Sequence, residues 1–137
     1  MFNYPRTIET RLATMTMVEP GLMEQRFRPN VRIDLPGFEE NRKARFTLAG
    51  DQPCVMLSVF PQEIDFDVQV TSSDHFAPER GKETLMALAV VANDSMFEMI
   101  SRLYFAYFPQ VFHTRVFSTE QEARNWLLVH KPAVVAV

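Results

Sequence analysis

A chain of 137 residues is long enough for one domain with a single packed core. At 47% apolar and 23% charged residues it is excluded from the disordered class, and no stretch reaches the roughly 18 apolar residues of a membrane-spanning helix. A net charge of −3 supplies no basic face for nucleic acid; "RFRPNVR" and "NRKAR" read as mixed, solvated surface because acidic residues stand close by.

The opening "MFNYPRTIET" lacks the basic and apolar regions of a secretion signal, so the expected location is the cytoplasm. Cys54 is the one cysteine, which rules out an internal disulfide. It sits inside "PCVMLSVF", where a buried, inert thiol is the natural reading.

In "TRLATMTMV", Leu12, Thr14, Thr16 and Val18 alternate with Ala13, Met15 and Met17, as a strand requires. "EPG" at 19–21 is turn chemistry, since Pro fixes φ and Gly permits φ > 0. "LMEQRFRP" follows as a second strand and completes a hairpin. "DLPGFEENRKARFTLAG" then opens on Asp34 as a helix N-cap and closes on Gly50 as its C-terminal stop. Phe38, Arg42, Arg45, Phe46 and Ala49 recur at helical spacing between them.

"CVMLSVF" and "LMALAVVA" are short, nearly continuous apolar runs, the pattern of strands covered on both faces. After the second run, "SMFEMISRLYFAYF" begins a helix with Ser95 and Glu98 spaced as a capping box, and Pro109 ends it. "VFHTRVF" is the last strand. It runs into a helix whose start is capped by Ser118 (with Gln121) or by Thr119 (with Glu122), and which carries Ala123, Trp126, Leu127 and His130 on one face. Capping accounts for those hydroxyls, and no nearby glycine lets a phosphate approach the helix end. Buried strands alternating with helices predict parallel pairing through crossover connections.

Residues 74–128, with "ALAVVA" at Ala87–Ala92, a helix at Ser95–Phe108, "TRVF" at Thr114–Phe117 and then Ser118, Glu122, Ala123, Trp126 and Leu127, resemble the tail of a known group. They are similar to the STAS-like (SpoIIAA-like, anti-sigma-factor-antagonist-like) proteins, specifically the small stand-alone bacterial members. The resemblance implies an α/β fold with a four- to five-stranded mixed β-sheet and helices packed on it. It gives one domain over 1–137, with an N-terminal hairpin at about 8–30 and strand–helix units at about 53–130. It also implies a non-catalytic regulatory or protein-interaction module, cytoplasmic and without a cofactor. The best-known members switch on a phosphorylatable serine before a helix, and the nearest counterparts here are Ser72 and Ser73 in "VTSSDHFAPERG". The alternative reading of that pair, with Asp74, is local capping of the turn that follows.

Other candidate sites are weaker in pattern. Glu63, Asp65 and Asp67 alternate in "EIDFDV"; an extended chain would put three carboxylates on one face, able to hold a divalent cation or to keep a strand edge wet. His75, His113 and His130 lack metal-ligand spacing, and a catalytic pairing would need His113 to meet His75 or Asp74.

The unusual element is the helix Ser95–Phe108. Met96, Phe97, Met99, Ile100, Leu103, Tyr104, Tyr107 and Phe108 sweep a broad apolar arc, leaving Glu98, Ser101 and Arg102 as a polar face with Phe105 among them. Three readings fit: burial between the sheet and a neighbour, a homodimer or partner surface, or a lid over an apolar ligand. The interaction or ligand surface is therefore assigned to Met96, Phe97, Ile100, Leu103, Tyr104, Phe105, Tyr107 and Phe108. An interaction module comes first, a small apolar-ligand or lipid carrier with 96–108 as lid second, and an enzyme using His75, His113 and the acidic strand of Glu63, Asp65 and Asp67 last.

Overall fold

The computed structural model describes residues 3–78 and 80–132. Eight strands and three α-helices follow in the order β1 (Arg6–Glu9), β2 (Ala13–Glu19), β3 (Leu22–Phe27), β4 (Arg32–Ile33), α1 (Leu35–Ala49), β5 (Cys54–Val59), β6 (Asp65–Phe66), β7 (Leu85–Val91), α2 (Ser95–Tyr107), β8 (His113–Phe117) and α3 (Glu120–His130). The main sheet has six strands in the order β1-β2-β3-β5-β7-β8, and β4 with β6 forms a separate two-stranded ribbon.

The hairpin is present: β2 and β3 pair antiparallel, and Gly21 takes φ 85° in the turn between them. From β3 onward the sheet is parallel, with β3 on β5, β5 on β7 and β7 on β8. The sheet is larger than four or five strands because Arg6–Glu9 adds an antiparallel edge beside β2. That segment, "RTIE", is polar and half-exposed, so it gives no apolar run to find.

Both faces of the sheet are covered, as the runs in β5 and β7 require. Cys54 and Met56 of β5 and Leu88, Val90 and Ala92 in and just after β7 point to one side, where they join α1, α2 and the 60–84 connection. Val55, Leu57, Ala87, Ala89 and Val91 point to the other, where Ala123 and Leu127 of α3 cover them. Each Val, Leu or Met among them withdrawn from water contributes on the order of 2 kcal/mol before ordering costs. Arg26 pairs with Glu120, and Arg124 reaches Glu24 at 3.0 Å and Glu120 at 2.7 Å, fixing α3 across β3.

The helix boundaries follow their caps. Asp34 accepts from the Gly37 amide at 2.9 Å, and Gly50 closes α1 at φ 59°. Gly37 is needed for a second reason: a Cβ there would lie 2.6 Å from Leu12 Cγ, so α1 can sit on the sheet at this depth only without a side chain. Thr119 caps α3, accepting from the Glu122 amide at 3.4 Å and donating to its carboxylate at 2.8 Å. The expected Ser95–Glu98 box is corrected. Asp94 is the cap of α2, accepting from the Phe97 amide at 2.9 Å, and Glu98 turns instead to Arg102 at 2.7 Å. A carboxylate one residue earlier outcompetes the serine for the orphan amides.

Candidate functional site

Between α1, the sheet and α2 lies a cavity of about 120 Å³. Its floor is the sheet face carrying Gln25, Met56, Ser58, Leu88 and Val90. Phe38, Asn41, Arg42 and Arg45 of α1 form one wall, and Phe97, Ile100, Ser101, Tyr104 and Phe105 of α2 form the roof. Phe60, Phe66, Val70, Thr71, His75 and Phe76 from the β5–β7 connection close the side. The volume is comparable to an apolar void that accepts about one six-membered ring.

Among the described residues, seven Phe and Tyr rings line the cavity. Phe27 and Phe60 stack with centroids 4.2 Å apart, Phe60 meets Phe97 at 4.7 Å, and Phe97 meets Phe66 edge-on at 5.8 Å. His75 is stacked between Phe38 at 4.4 Å and Tyr104 at 5.5 Å. Its ring Nε2 lies 2.5 Å from the Val70 carbonyl, which as a hydrogen bond requires the proton on Nε2. Burial lowers the pKa of His75, with the Val70 carbonyl and Asp74 pulling the other way and Arg42 adding to the lowering. Tyr104 is pushed up to about 12, again by burial, and so stays protonated as a donor.

A polar chain crosses the floor. The Thr10 hydroxyl donates to Asn41 Oδ1 at 2.6 Å, the Asn41 amide to Gln25 Oε1 at 3.2 Å, and the Gln25 amide to Ser58 Oγ at 2.8 Å. Gln25 and Ser58 can meet because they stand opposite each other in the β3–β5 register. Buried polar groups this well satisfied fix one arrangement of the core. Neither Gln25 nor Asn41 stood out in the sequence. A polar residue between Met23 and Phe27, on the inward positions of an alternating strand, was the available signal.

The helix α2 is rotated from the orientation its composition suggested. Ser101, in the expected polar face, is buried, and Phe105 beside it packs toward Phe76 at 6.4 Å. The apolar stripe Met96, Met99, Leu103 and Tyr107 faces solvent, at 67%, 56%, 62% and 79% exposure. Full burial of this helix is therefore overturned. The reason is that the inward stripe needs residues able to span the cavity, and Phe97, Tyr104 and Phe105 supply rings that reach the opposite wall. Of the eight surface residues singled out, Phe97, Ile100, Tyr104 and Phe105 line the cavity, Phe108 is half-buried against Tyr104 at 5.1 Å, and Met96, Leu103 and Tyr107 share the outer stripe with Met99.

Ser72 closes a short 3-10 turn (Val68–Thr71), donating its hydroxyl to the Gln69 carbonyl at 2.9 Å. The Ser73 carbonyl accepts from the Tyr104 hydroxyl at 2.6 Å, while the His75 amide donates back to that oxygen at 2.9 Å. Neither serine begins an α-helix. Asp74 does the capping there, accepting from the Phe76 amide at 2.9 Å, from Gln110 at 3.0 Å and from Arg80 at 2.5 Å. Burial opposes ionisation of Asp74, but those three donors hold its carboxyl below the usual range.

The acidic run does not stay together. Asp65 pairs with Arg32 at 2.9 Å, Asp67 caps the 3-10 turn through the Gln69 amide at 3.0 Å, and Glu63 is exposed. Among the described residues no three His, Cys, Asp or Glu side chains converge as a metal site would need. The histidines are also redistributed: His113 meets His130, with ring centroids 4.5 Å apart beside Trp126, rather than His75 or Asp74. Strand β8 and the end of α3 carry that pair on the far side of the sheet from His75. Cys54 is fully buried, and burial pushes its thiol up to about 11, far from a thiolate at neutral pH.

Among the described residues no helix is long and apolar enough to cross a membrane. An uncharacterized protein of the DUF3478 family from Shewanella loihica PV-4, described as having a SpoIIAA-like fold, superposes with a TM-score of 0.52 at 12% identity, covering 90% of this chain and 91% of that one. The likeness establishes the fold, and the chain has the SpoIIAA-like architecture that its C-terminal motifs resembled. The sequence matches no curated protein. A family model matches residues 16–131, a span running from β2 to just past α3 that includes every wall of the cavity, and the chain thus belongs to the family described as Domain of unknown function (DUF7793).

Proposed function

We propose that this domain is a non-catalytic binding module that takes a small apolar molecule beneath α2. The observation that carries the reading is the aromatic cavity of about 120 Å³ roofed by Phe97, Ile100, Tyr104 and Phe105. A tightly packed core has no use for such a void, since each lining atom forgoes dispersion contacts that a ligand would restore. Outside the aromatic contacts, α2 is tied to the 70s segment by the Tyr104 hydroxyl, and the loop after it by Gln110 donating to Asp74.

A second role, self-association, is favoured by the exposed stripe Met96, Met99, Leu103 and Tyr107 on the same helix. The two roles are compatible, because one face of α2 meets the ligand and the other a second copy, so that binding on the inside is felt outside. Native mass spectrometry of protein purified gently from its own host tests both. Ligand carriage predicts an added organic mass that leaves on denaturation, and self-association predicts a dimer that Leu103→Glu reduces to monomer. A bare monomer would count against both.

A further inference from the structure

The cavity is unbalanced in charge. Among the described residues its lining contains Arg42, Arg45 and His75 but no aspartate or glutamate. Arg45 is neutralised from outside the cavity by Glu83, at 2.6 Å, with both side chains buried. His75 stays neutral at physiological pH, because burial lowers its pKa. Arg42 is different. Its side chain is only 16% exposed, its ion pair is Glu39 at 3.9 Å, and Glu39 is itself 54% exposed. That separation is too long for a hydrogen bond, and the Arg42 Nε is buried with no hydrogen-bond partner. A guanidinium offers five donors in a fixed fork matched to a carboxylate, and leaving such a group short of acceptors in a low-dielectric wall is costly.

The remaining polar groups point to the same chemistry. The Thr10–Asn41–Gln25–Ser58 chain runs one way, each member donating to the next. It ends at Ser58, whose hydroxyl accepts from Gln25 and so keeps its own proton for a further acceptor. The cavity therefore offers a cation and a hydroxyl donor within an aromatic shell, in a volume of about one ring.

Resting on the pocket reading above, we infer that the ligand is a small aromatic carboxylic acid: its ring fills the space beneath Phe97 and Tyr104 and its carboxylate is taken by Arg42. The ring supplies the dispersion contacts that the void lacks, and the carboxylate supplies the acceptors that Arg42 lacks. A cationic amine of the same size would meet like charge and is rejected.

The test is a titration of the full chain with benzoate and with benzyl alcohol, its neutral counterpart of similar size, followed by ligand-observed NMR. The wild type should bind benzoate at least about tenfold more tightly than benzyl alcohol, a ratio worth about 1.4 kcal/mol. Arg42→Gln should abolish that preference, weakening benzoate by about tenfold more than benzyl alcohol, and Arg42→Lys, which keeps the charge but not the fork, should restore part of it. Equal binding of the two probes by wild type, or a preference that survives in Arg42→Gln, overturns the acid assignment and leaves the pocket standing. If neither probe binds, the pocket reading fails with it.

Discussion

Tyr104 and His75 lock to each other twice: the His75 amide donates to the Tyr104 hydroxyl at 2.9 Å, and their rings stack nearly parallel at 5.5 Å. One residue is on α2 and the other on the 70s segment, so the pair ties the roof of the cavity to its side. Tyr104→Phe keeps the ring and removes the oxygen, leaving the Ser73 carbonyl and the His75 amide without that partner. We expect a loss of about 1–2 kcal/mol in denaturant unfolding. Hydrogen exchange in α2 should quicken by more than in α3, which shares none of these bonds. Equal acceleration in both helices would mean that Tyr104 supports the core generally rather than latching the roof.

His75 gives the latch a pH dependence. Its pKa lies below the ordinary 6.5 because burial disfavours the cation, with Arg42 nearby adding to that and the Val70 carbonyl and Asp74 opposing it. The unfolded chain accepts a proton near 6.5 while the folded one resists it, so the stability from neutral His75 is complete above 6.5 and is lost as pH falls toward the folded-state value. Unfolding free energy measured between about pH 7.5 and 5 should therefore decline in wild type, and less steeply in His75→Phe. Parallel curves would place the acid sensitivity elsewhere.

Arg45 and Glu83 form the buried pair that pins the start of β7 to α1. The carboxylate also accepts from the Thr84 and Leu85 amides at 2.8 and 2.9 Å. Removing one partner strands the other, so Glu83→Gln should cost about 3–5 kcal/mol. Replacing both, as Arg45→Met with Glu83→Gln, should cost less than that single change, because no uncompensated charge remains inside and the amide oxygen still accepts from Thr84 and Leu85. Chemical denaturation of the three proteins decides the matter, and a double variant weaker than the single would contradict it.

Gly37→Ala places a methyl against Leu12, which is fully buried and cannot swing into solvent. Overpacking of this kind should destabilise by about 1–3 kcal/mol. Leu12→Ala alone should cost about 2–5 kcal/mol at this fully buried site, and the double variant should lose less than the sum of the two single changes, a coupling that a double-mutant cycle would read.

What the sequence conveys is local. Asp34 and Gly50 bound α1 because caps act within a few residues, and the runs in β5 and β7 announce burial on both faces because every side chain in them but Ser58 is apolar. The orientation of α2 is not local. Its most continuous apolar stripe, Met96, Met99, Leu103 and Tyr107, faces outward, and nothing in its periodicity distinguishes a face meeting the core from one meeting a partner. The cavity is less legible still. Gln25, Arg42, His75 and Tyr104 come from four separate segments and meet only because β3 pairs in parallel with β5 and the 60–84 connection folds over the same sheet face as α1 and α2. His113 and His130 meet for the same kind of reason, through strand order rather than spacing.

The claim that a ligand enters beneath α2 is tested most directly by titrating methyl-labelled protein with toluene and following the side-chain methyl resonances. A ring seated in the cavity should shift Met56, Leu88, Val90 and Ile100, which line it, and leave unshifted Val55, Leu57, Ala87 and Ala89, which alternate with the first three on the opposite face of the same strands. Shifts confined to the exposed Met96 and Met99, or no saturable shift at all, would contradict it.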